Sequence, residues 1–337
     1  MPREALWNFP SPERPRLVDI GVNLADRQFV HDVDEVRSPP GTGAAGRGAR
    51  GAGRGARGTS PARRASPAPG GGTGRPRPPA PAPQVLERAA GAGVSTILTT
   101  GCCLRSSRRA AALTAAHGGR HGVSLYHTAG VHPHNAKQCD GGTLRALREL
   151  LADPRCLAVG ECGLDFNRNF SPPEVQERWF RAQVALAAEL GKPLFLHCRD
   201  AGERFVEILS AHELRAPAVV HCFTGTEAEL RALLALGCHV GVTGWVCDER
   251  GGRGEALARL LPLVPRDRLM IETDAPWIAP RSIRPARARP RRCEPCLLPH
   301  VCARVAAALG VSYGELARLT TANAERVFGM RPPGGAV

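Results

Sequence analysis

The sequence predicts a single α/β domain, a (β/α)8 TIM barrel interrupted by a disordered low-complexity insertion in its first helix. Three observations lead there. Eight short apolar runs alternate with helical stretches at the spacing of repeated βα units. The runs are continuous and not alternating, as parallel strands buried on both faces require. With residues 37–84 set aside, the span 17–330 has close to the roughly 250 residues typical of that barrel. A chain of 337 residues with 43% hydrophobic content can bury a core of this size.

Leu17-Val18-Asp19-Ile20-Gly21-Val22-Asn23 is the first strand, and residues 29–36 open a helix with Phe29, Val33 and Val36 on one face. That pattern breaks at Arg37. Residues 37–84 are almost wholly Gly, Ala, Pro, Arg, Ser and Thr, a composition that buries too little apolar surface to order itself. Joining Val36 to Val85-Leu86-Glu87-Arg88 restores the amphipathic pattern, so the segment interrupts one element and does not link two domains. Its Arg-Gly repeats suit weak nucleic-acid binding, but a solvated insertion, or translated non-coding sequence, is the favoured reading. The plan is an N-terminal extension over 1–16, a barrel over 17–330 carrying the 37–84 insertion, and a tail over 331–337.

The remaining strands are expected at 96–101, 125–131, 156–161, 193–197, 218–221, 239–245 and 269–274, each marked by an apolar run. Helices are expected at about 104–117, 143–152, 173–190, 201–211, 226–236 and 254–261, with Pro173 near a start and Gly191 and Gly237 at ends. Helices at 298–309 and 313–328 close the domain.

The net charge of +14 suggests a nucleic-acid partner. Its distribution weakens that reading, because residues 37–84 carry nine Arg and no acid, and residues 281–293 carry six Arg, again without an acid. The rest is close to neutral, so only one loop of the folded body is basic. No apolar run approaches the roughly 18 residues of a membrane span, and residues 1–16 contain no apolar signal region. A cytoplasmic location, with a nuclear one as the alternative, no membrane association and no obligate protein partner are the expectations. Of the twelve cysteines, Cys156, Cys198 and Cys222 lie in apolar strands as small core residues, and disulfides are not expected. Cys293-Glu294-Pro295-Cys296, with Cys302 nearby, lacks a second pair at zinc spacing and is not expected to hold a structural zinc.

Four strands finish in a potential metal ligand: Glu161 in Gly160-Glu161-Cys162-Gly163-Leu164-Asp165, His197 in His197-Cys198-Arg199-Asp200, His221 in His221-Cys222-Phe223, and Asp274 in Glu272-Thr273-Asp274. Catalytic groups of such barrels sit at the C-terminal strand ends. Singly, a strand-end His or Asp is more often a solvated terminus; four at one end of one barrel make coincidence improbable. Imidazoles favour zinc, manganese or iron, whereas carboxylates and water also suit magnesium, so the ligands leave the divalent ion open. Such an ion activates water and polarises a carbonyl or phosphoryl oxygen, which makes hydrolysis the natural reaction. Asp165 is the expected orienter or base, and Glu161 and Asp274 count as catalytic as well as ligating. His132, in Gly130-Val131-His132-Pro133-His134, is expected at the metal or at a substrate phosphate, His134 in the loop. Arg199 offers a fork for phosphate, with pairing to Asp200 or Asp165 as the alternative. Trp245-Val246-Cys247-Asp248-Glu249-Arg250 either clamps a base or packs as ordinary loop.

These blocks, together with Asp19-Ile20-Gly21-Val22-Asn23-Leu24, Phe223-Thr224-Gly225-Thr226 and Ile271-Glu272-Thr273-Asp274-Ala275-Pro276, resemble the TatD family of metal-dependent deoxyribonucleases over 17–330 outside the insertion. The resemblance implies a metallo-dependent hydrolase that digests DNA phosphodiesters as a 3′–5′ exonuclease preferring single strands, in DNA repair or degradation. It also implies metal ligation by Glu161, His197, His221 and Asp274, with His132 near the substrate. Many members carry Asp-x-His-x-His on the first strand; Gly21 and Asn23 stand there instead, which weakens a second ion and favours magnesium, with one or two ions bound. Arg292 replaces the usual Asn before Glu294-Pro295. Two other functions fit the residues: an amidohydrolase or lactonase of the same superfamily, or a non-catalytic nucleic-acid binder using the Arg-Gly insertion.

Overall fold

The computed structural model describes residues 15–29 and 82–331. The helical stretch expected over 30–36, the insertion as far as residue 81 and both chain ends lie outside the described residues. Among the described residues eight parallel strands form one sheet in chain order: β1 (Leu17–Val22), β2 (Val94–Thr99), β3 (Ser124–Ala129), β4 (Cys156–Asp165), β5 (Leu194–Arg199), β6 (Ala218–Val220), β7 (His239–Val242) and β8 (Leu269–Ile271). The sheet closes on itself just past the strand ends, where Asn23 N donates to Ala275 O at 2.7 Å and Asp274 N to Gly21 O at 2.9 Å. The barrel predicted from the alternating runs is therefore present.

Helices α1 (Ala82–Gly91), α2 (Leu104–His117), α3 (Thr143–Leu151), α4 (Pro173–Leu190), α5 (Gly202–Ser210), α6 (Glu227–Ala235), α7 (Arg253–Leu260), α8 (Leu298–Leu309) and α9 (Tyr313–Phe328) accompany the strands. Their ends follow local chemistry. Pro173 occupies the first turn of α4, where its missing N–H costs nothing. Thr226 and Glu229 cap each other's backbone N–H groups at the start of α6. Residues 82–84, assigned above to the insertion, already belong to α1, because Ala82, Val85, Leu86 and Ala89 share one buried face.

Two apolar clusters result. Val18, Ile20, Leu98, Ala158, Phe195, Val219 and Met270 fill the barrel interior, which Val327 and Phe328 of α9 close at the bottom. The larger cluster lies between sheet and helices, as at the Phe180 and Phe205 rings stacked 4.9 Å apart between α4 and α5.

Strand limits differ from the sequence prediction where the chemistry sits. β4 continues four residues past Glu161, pairing with β5 as far as Asp165 opposite Arg199. Its register slips between Gly160, opposite Phe195, and Cys162, opposite Leu196, so Glu161 is the extra residue of a bulge that turns its side chain. β6 and β8 end earlier than expected, before His221 and Asp274. The backbone turns left-handed at Cys222 (φ 48°) and Asp274 (φ 53°), which a continuing ladder cannot accommodate.

Candidate metal centre

Glu161 is the hub. The bulge aims its carboxylate into the barrel mouth, where it is buried. Oε1 lies 2.7 Å from His221 Nε2, 3.1 Å from His197 Nδ1 and 3.4 Å from His132 Nε2. These imidazoles come from the end of β6, from within β5 and from the loop after β3. Ligand atoms of His132, Glu161 and His197 all fall within 4.8 Å of one another. His197 Nε2 and His221 Nδ1 are buried without a hydrogen-bond partner. Their nearest acceptors, Asp165 Oδ2 and Glu272 Oε2, each stand 3.5 Å away, so these nitrogens are poorly satisfied, and the nitrogen and oxygen donors gathered here suit a divalent ion. The residues therefore fit a metal.

Asp274 meets this group through intermediaries. Its Oδ1 accepts from Asn23 Nδ2 at 3.2 Å, while Cys102 Sγ lies 3.3 Å from both Asn23 Oδ1 and Glu161 Oε2. Cys102 was not singled out in the sequence, and Asn23 only as the residue standing in place of a family histidine. Asp165 stands at the other side. His134 Nε2 lies 2.7 Å from its Oδ2 and His197 Nε2 lies 3.5 Å away, while the backbone N–H groups of Asn167 and Arg168 donate to Oδ1. His134, read as plain loop, thus holds a site carboxylate. Arg199 ends β5 as an exposed side chain. Trp245 is partly buried against the outer core with Arg253 5.5 Å over its ring, and Asp248 pairs with Arg250 at 2.8 Å, so that segment is packed loop.

Glu272, visible in the sequence only as a neighbour of Asp274, lies fully buried beneath the site. Its Oε1 accepts from Cys222 N at 2.5 Å and its Oε2 stands 3.5 Å from His221 Nδ1. Room for it exists because two strand residues lack side chains. A Cβ on Gly21 would come within 2.1 Å of Oε2, and one on Gly241 within 2.6 Å of Oε1. A histidine at Gly21, as in the Asp-x-His-x-His pattern, would collide with this carboxylate.

The charges are tightly balanced. Burial alone would raise the Glu161 pKa, but His221 and His132 hold it well below the usual range. Burial disfavours charge on His221 and is outweighed by Glu161 and Glu272, which raise its pKa. Burial keeps His132 neutral against the pull of Glu161. Asp274 is pushed up to about 7 by burial, against His221 and with Glu161 and Glu272 adding to the rise. Asp165, despite partial burial, is held low by His134 and His197. Carboxylates interleaved with imidazoles at a strand-end mouth are an electrostatic arrangement that suits a divalent cation.

A family model described as TatD related DNase matches residues 78–329. The 3′-5′ ssDNA/RNA exonuclease TatD of Erwinia tasmaniensis is 52% identical over 249 residues, which cover 73% of this chain and 93% of that protein. Its namesake from Escherichia coli K12 is 49% identical over 247 residues, covering 73% and 92%. Among solved structures, a TatD family hydrolase from Entamoeba histolytica aligns with a TM-score of 0.71 at 23% identity over 93% of this chain and 98% of that one. A TatD homologue, YJJV, from Escherichia coli K12 aligns with a TM-score of 0.64 at 27% identity over 74% and 92%.

Proposed function

From its membership of the TatD related DNase family, to which the chain belongs, we propose that this protein is a metal-dependent nuclease acting on single strands from the 3′ end. It is a hydrolase of nucleic-acid ester bonds. The observation that carries the reading is Glu161 Oε1 ringed by His221, His197 and His132 at the C-terminal mouth of the barrel. The single-strand preference and the 3′–5′ polarity come from the names of relatives about half identical, which include RNA beside DNA.

His132, Glu161 and His197 would hold the cation, with His221 and Asp274 adjoining it. A divalent ion there lowers the pKa of a bound water and polarises a phosphoryl oxygen. Magnesium is the ion we propose, with manganese and zinc, which the His132 and His197 nitrogens also suit, as alternatives, because Gly21 and Asn23 stand where the family pattern has two further imidazoles. Asp165, anchored by His134 and two backbone N–H groups, is the carboxylate positioned to orient or deprotonate an attacking water, with Asp274, held by Asn23 Nδ2 at 3.2 Å, on the other side of the centre. Arg199, exposed at the end of β5, is available to a substrate phosphate.

End-labelled single-stranded DNA and RNA incubated with the protein and magnesium or manganese should shorten from the 3′ end. Absence of metal-dependent shortening, or undiminished shortening by Glu161→Ala, overturns the reading.

A further inference from the structure

Two large apolar side chains among the described residues stand out in solvent: Phe170, 51% exposed, and Trp277, 45% exposed. Both belong to the mouth of the barrel. Phe170 lies in the loop after β4, five residues past Asp165, and its ring meets that of His134 edge-on at 4.8 Å. From there the rings of His132, at 4.3 Å from His134, and His197, at 4.4 Å from His132, continue to the metal group. Trp277 follows β8, its N–H bonded to Asp274 O at 3.0 Å. Strands β4 and β8 are four apart in a closed eight-strand order, so they face each other across the barrel. The two exposed rings therefore flank the centre from opposite sides.

Each ring belongs to a segment that also carries positive charge without an acid partner. Arg168 is exposed, lies 5.9 Å from the Phe170 ring centroid and has no acid partner among the described residues. Trp277 opens the arginine-rich loop, which returns to its own start through Cys293 N bonded to Pro276 O at 2.9 Å. Within that loop Arg281 pairs with Asp248, Arg284 with Glu249, Arg292 with Glu294, and Arg289 holds the Arg281 carbonyl at 2.8 Å. Arg287 and Arg291 remain exposed and without an acid partner among the described residues. Flat apolar faces beside free cations match a chain of bases on a phosphate backbone, and match an apolar protein surface poorly.

We infer that Phe170 and Trp277 are stacking platforms for bases of single-stranded nucleic acid, one on each side of the scissile phosphate, with Arg168, Arg287 and Arg291 following the backbone. This rests on the nuclease reading and adds the strand's path. Stacking requires unpaired bases and accepts any base, so it yields single-strand preference without sequence preference.

The test uses the full chain loaded with magnesium and a single-stranded phosphorothioate oligonucleotide carrying 2-aminopurine near its 3′ end. Binding to the parent protein should quench the 2-aminopurine fluorescence. Phe170→Ala and Trp277→Ala should each weaken binding on the order of 10-fold or more and abolish part of the quench, while Phe170→Tyr and Trp277→Phe retain both. The magnesium-dependent rise in melting temperature should be retained in all four variants. The loss should persist at high salt, where arginine contacts fade. Alanine variants that bind and quench like the parent, or that lose the magnesium-dependent melting shift, overturn the inference. A parent that binds with quench yet shortens no unmodified single-stranded DNA or RNA with magnesium or manganese refutes the nuclease reading and leaves the platforms standing.

Discussion

Glu272 faces His221 Nδ1 at 3.5 Å from a space that exists only because Gly21 and Gly241 have no side chains. The carboxylate orients the imidazole whose other nitrogen meets Glu161, an outer support of the kind that tunes a metal site. Glu272→Gln should keep the shape and weaken metal binding by about 10- to 100-fold, measured by calorimetric titration. Unchanged affinity would remove Glu272 from the site.

Gly21→Ala should be destabilising although it adds a single methyl group. The new Cβ lies 2.1 Å from Glu272 Oε2, and the carboxylate is boxed in by Gly241 and Cys222. A loss of about 1–3 kcal/mol is expected from overpacking, read from chemical denaturation. Pairing Gly21→Ala with Glu272→Ala should recover part of it.

Metal should stabilise the fold as well as activate it. Ions at about 100 times their Kd add roughly 2.7 kcal/mol, so chelation should lower the melting temperature and reloading restore it. Glu161→Ala should melt at a temperature independent of magnesium and show no hydrolysis. A metal-dependent melting shift in that variant would place the ion elsewhere.

Acid should weaken the barrel through His127 on β3. The side chain is fully buried with neither ring nitrogen hydrogen-bonded, and burial pulls its pKa from 6.5 to about 4, only partly opposed by Asp153. Between those values the unfolded chain binds a proton that the folded chain refuses. The contribution is complete above pH 6.5 and is lost as pH falls towards 4, at about 1.4 kcal/mol per pH unit. His127→Leu should flatten the dependence of denaturation midpoint on pH in that window; equal slopes for variant and parent would contradict it.

Glu294 anchors α1 to the loop after β8. Its two oxygens each take a 2.7 Å bond, from Arg88 Nε of α1 and from Arg292 Nη2, and Arg292 also lies 4.8 Å over the Phe29 ring. Arg292, the departure from the family's Asn, is therefore built into the contact and does not loosen it. Glu294→Ala should cost about 1.5–3 kcal/mol, the range for hydrogen bonds to charged groups, while Arg292→Asn should cost less because Arg88 remains. Thermal melts of the two variants check the order.

Glu161, His197, His221 and Asp274 were legible as strand-end groups because apolar runs stop beside them, a one-dimensional signal; that His132 joins Glu161 and His197 as the group able to hold an ion, with Asp274 reached only through Asn23 and Cys102, was not. α2, α4, α8 and α9 were legible to the residue, since apolar spacing and a proline or glycine at the boundary act locally. Cys102, Asn23, His134 and Glu272 were not, because their roles depend on neighbours from 31 to 251 positions away in sequence. Trp245 drew attention as an aromatic near the mouth, yet burial separates it from Trp277, and burial is a property of the packed chain.

By itself the sequence determined the repeating βα order, the end of the barrel that carries chemistry and the residue types that gather there, because periodicity and strand-terminal chemistry are written along the chain. Only the tertiary structure decided that a bulge turns Glu161 towards three imidazoles, that two glycines make room for Glu272, and that Phe170 and Trp277 stay exposed on the loops after β4 and β8. Those outcomes follow from closing the sheet, which brings distant residues within contact distance and leaves some side chains in solvent while burying others of the same kind.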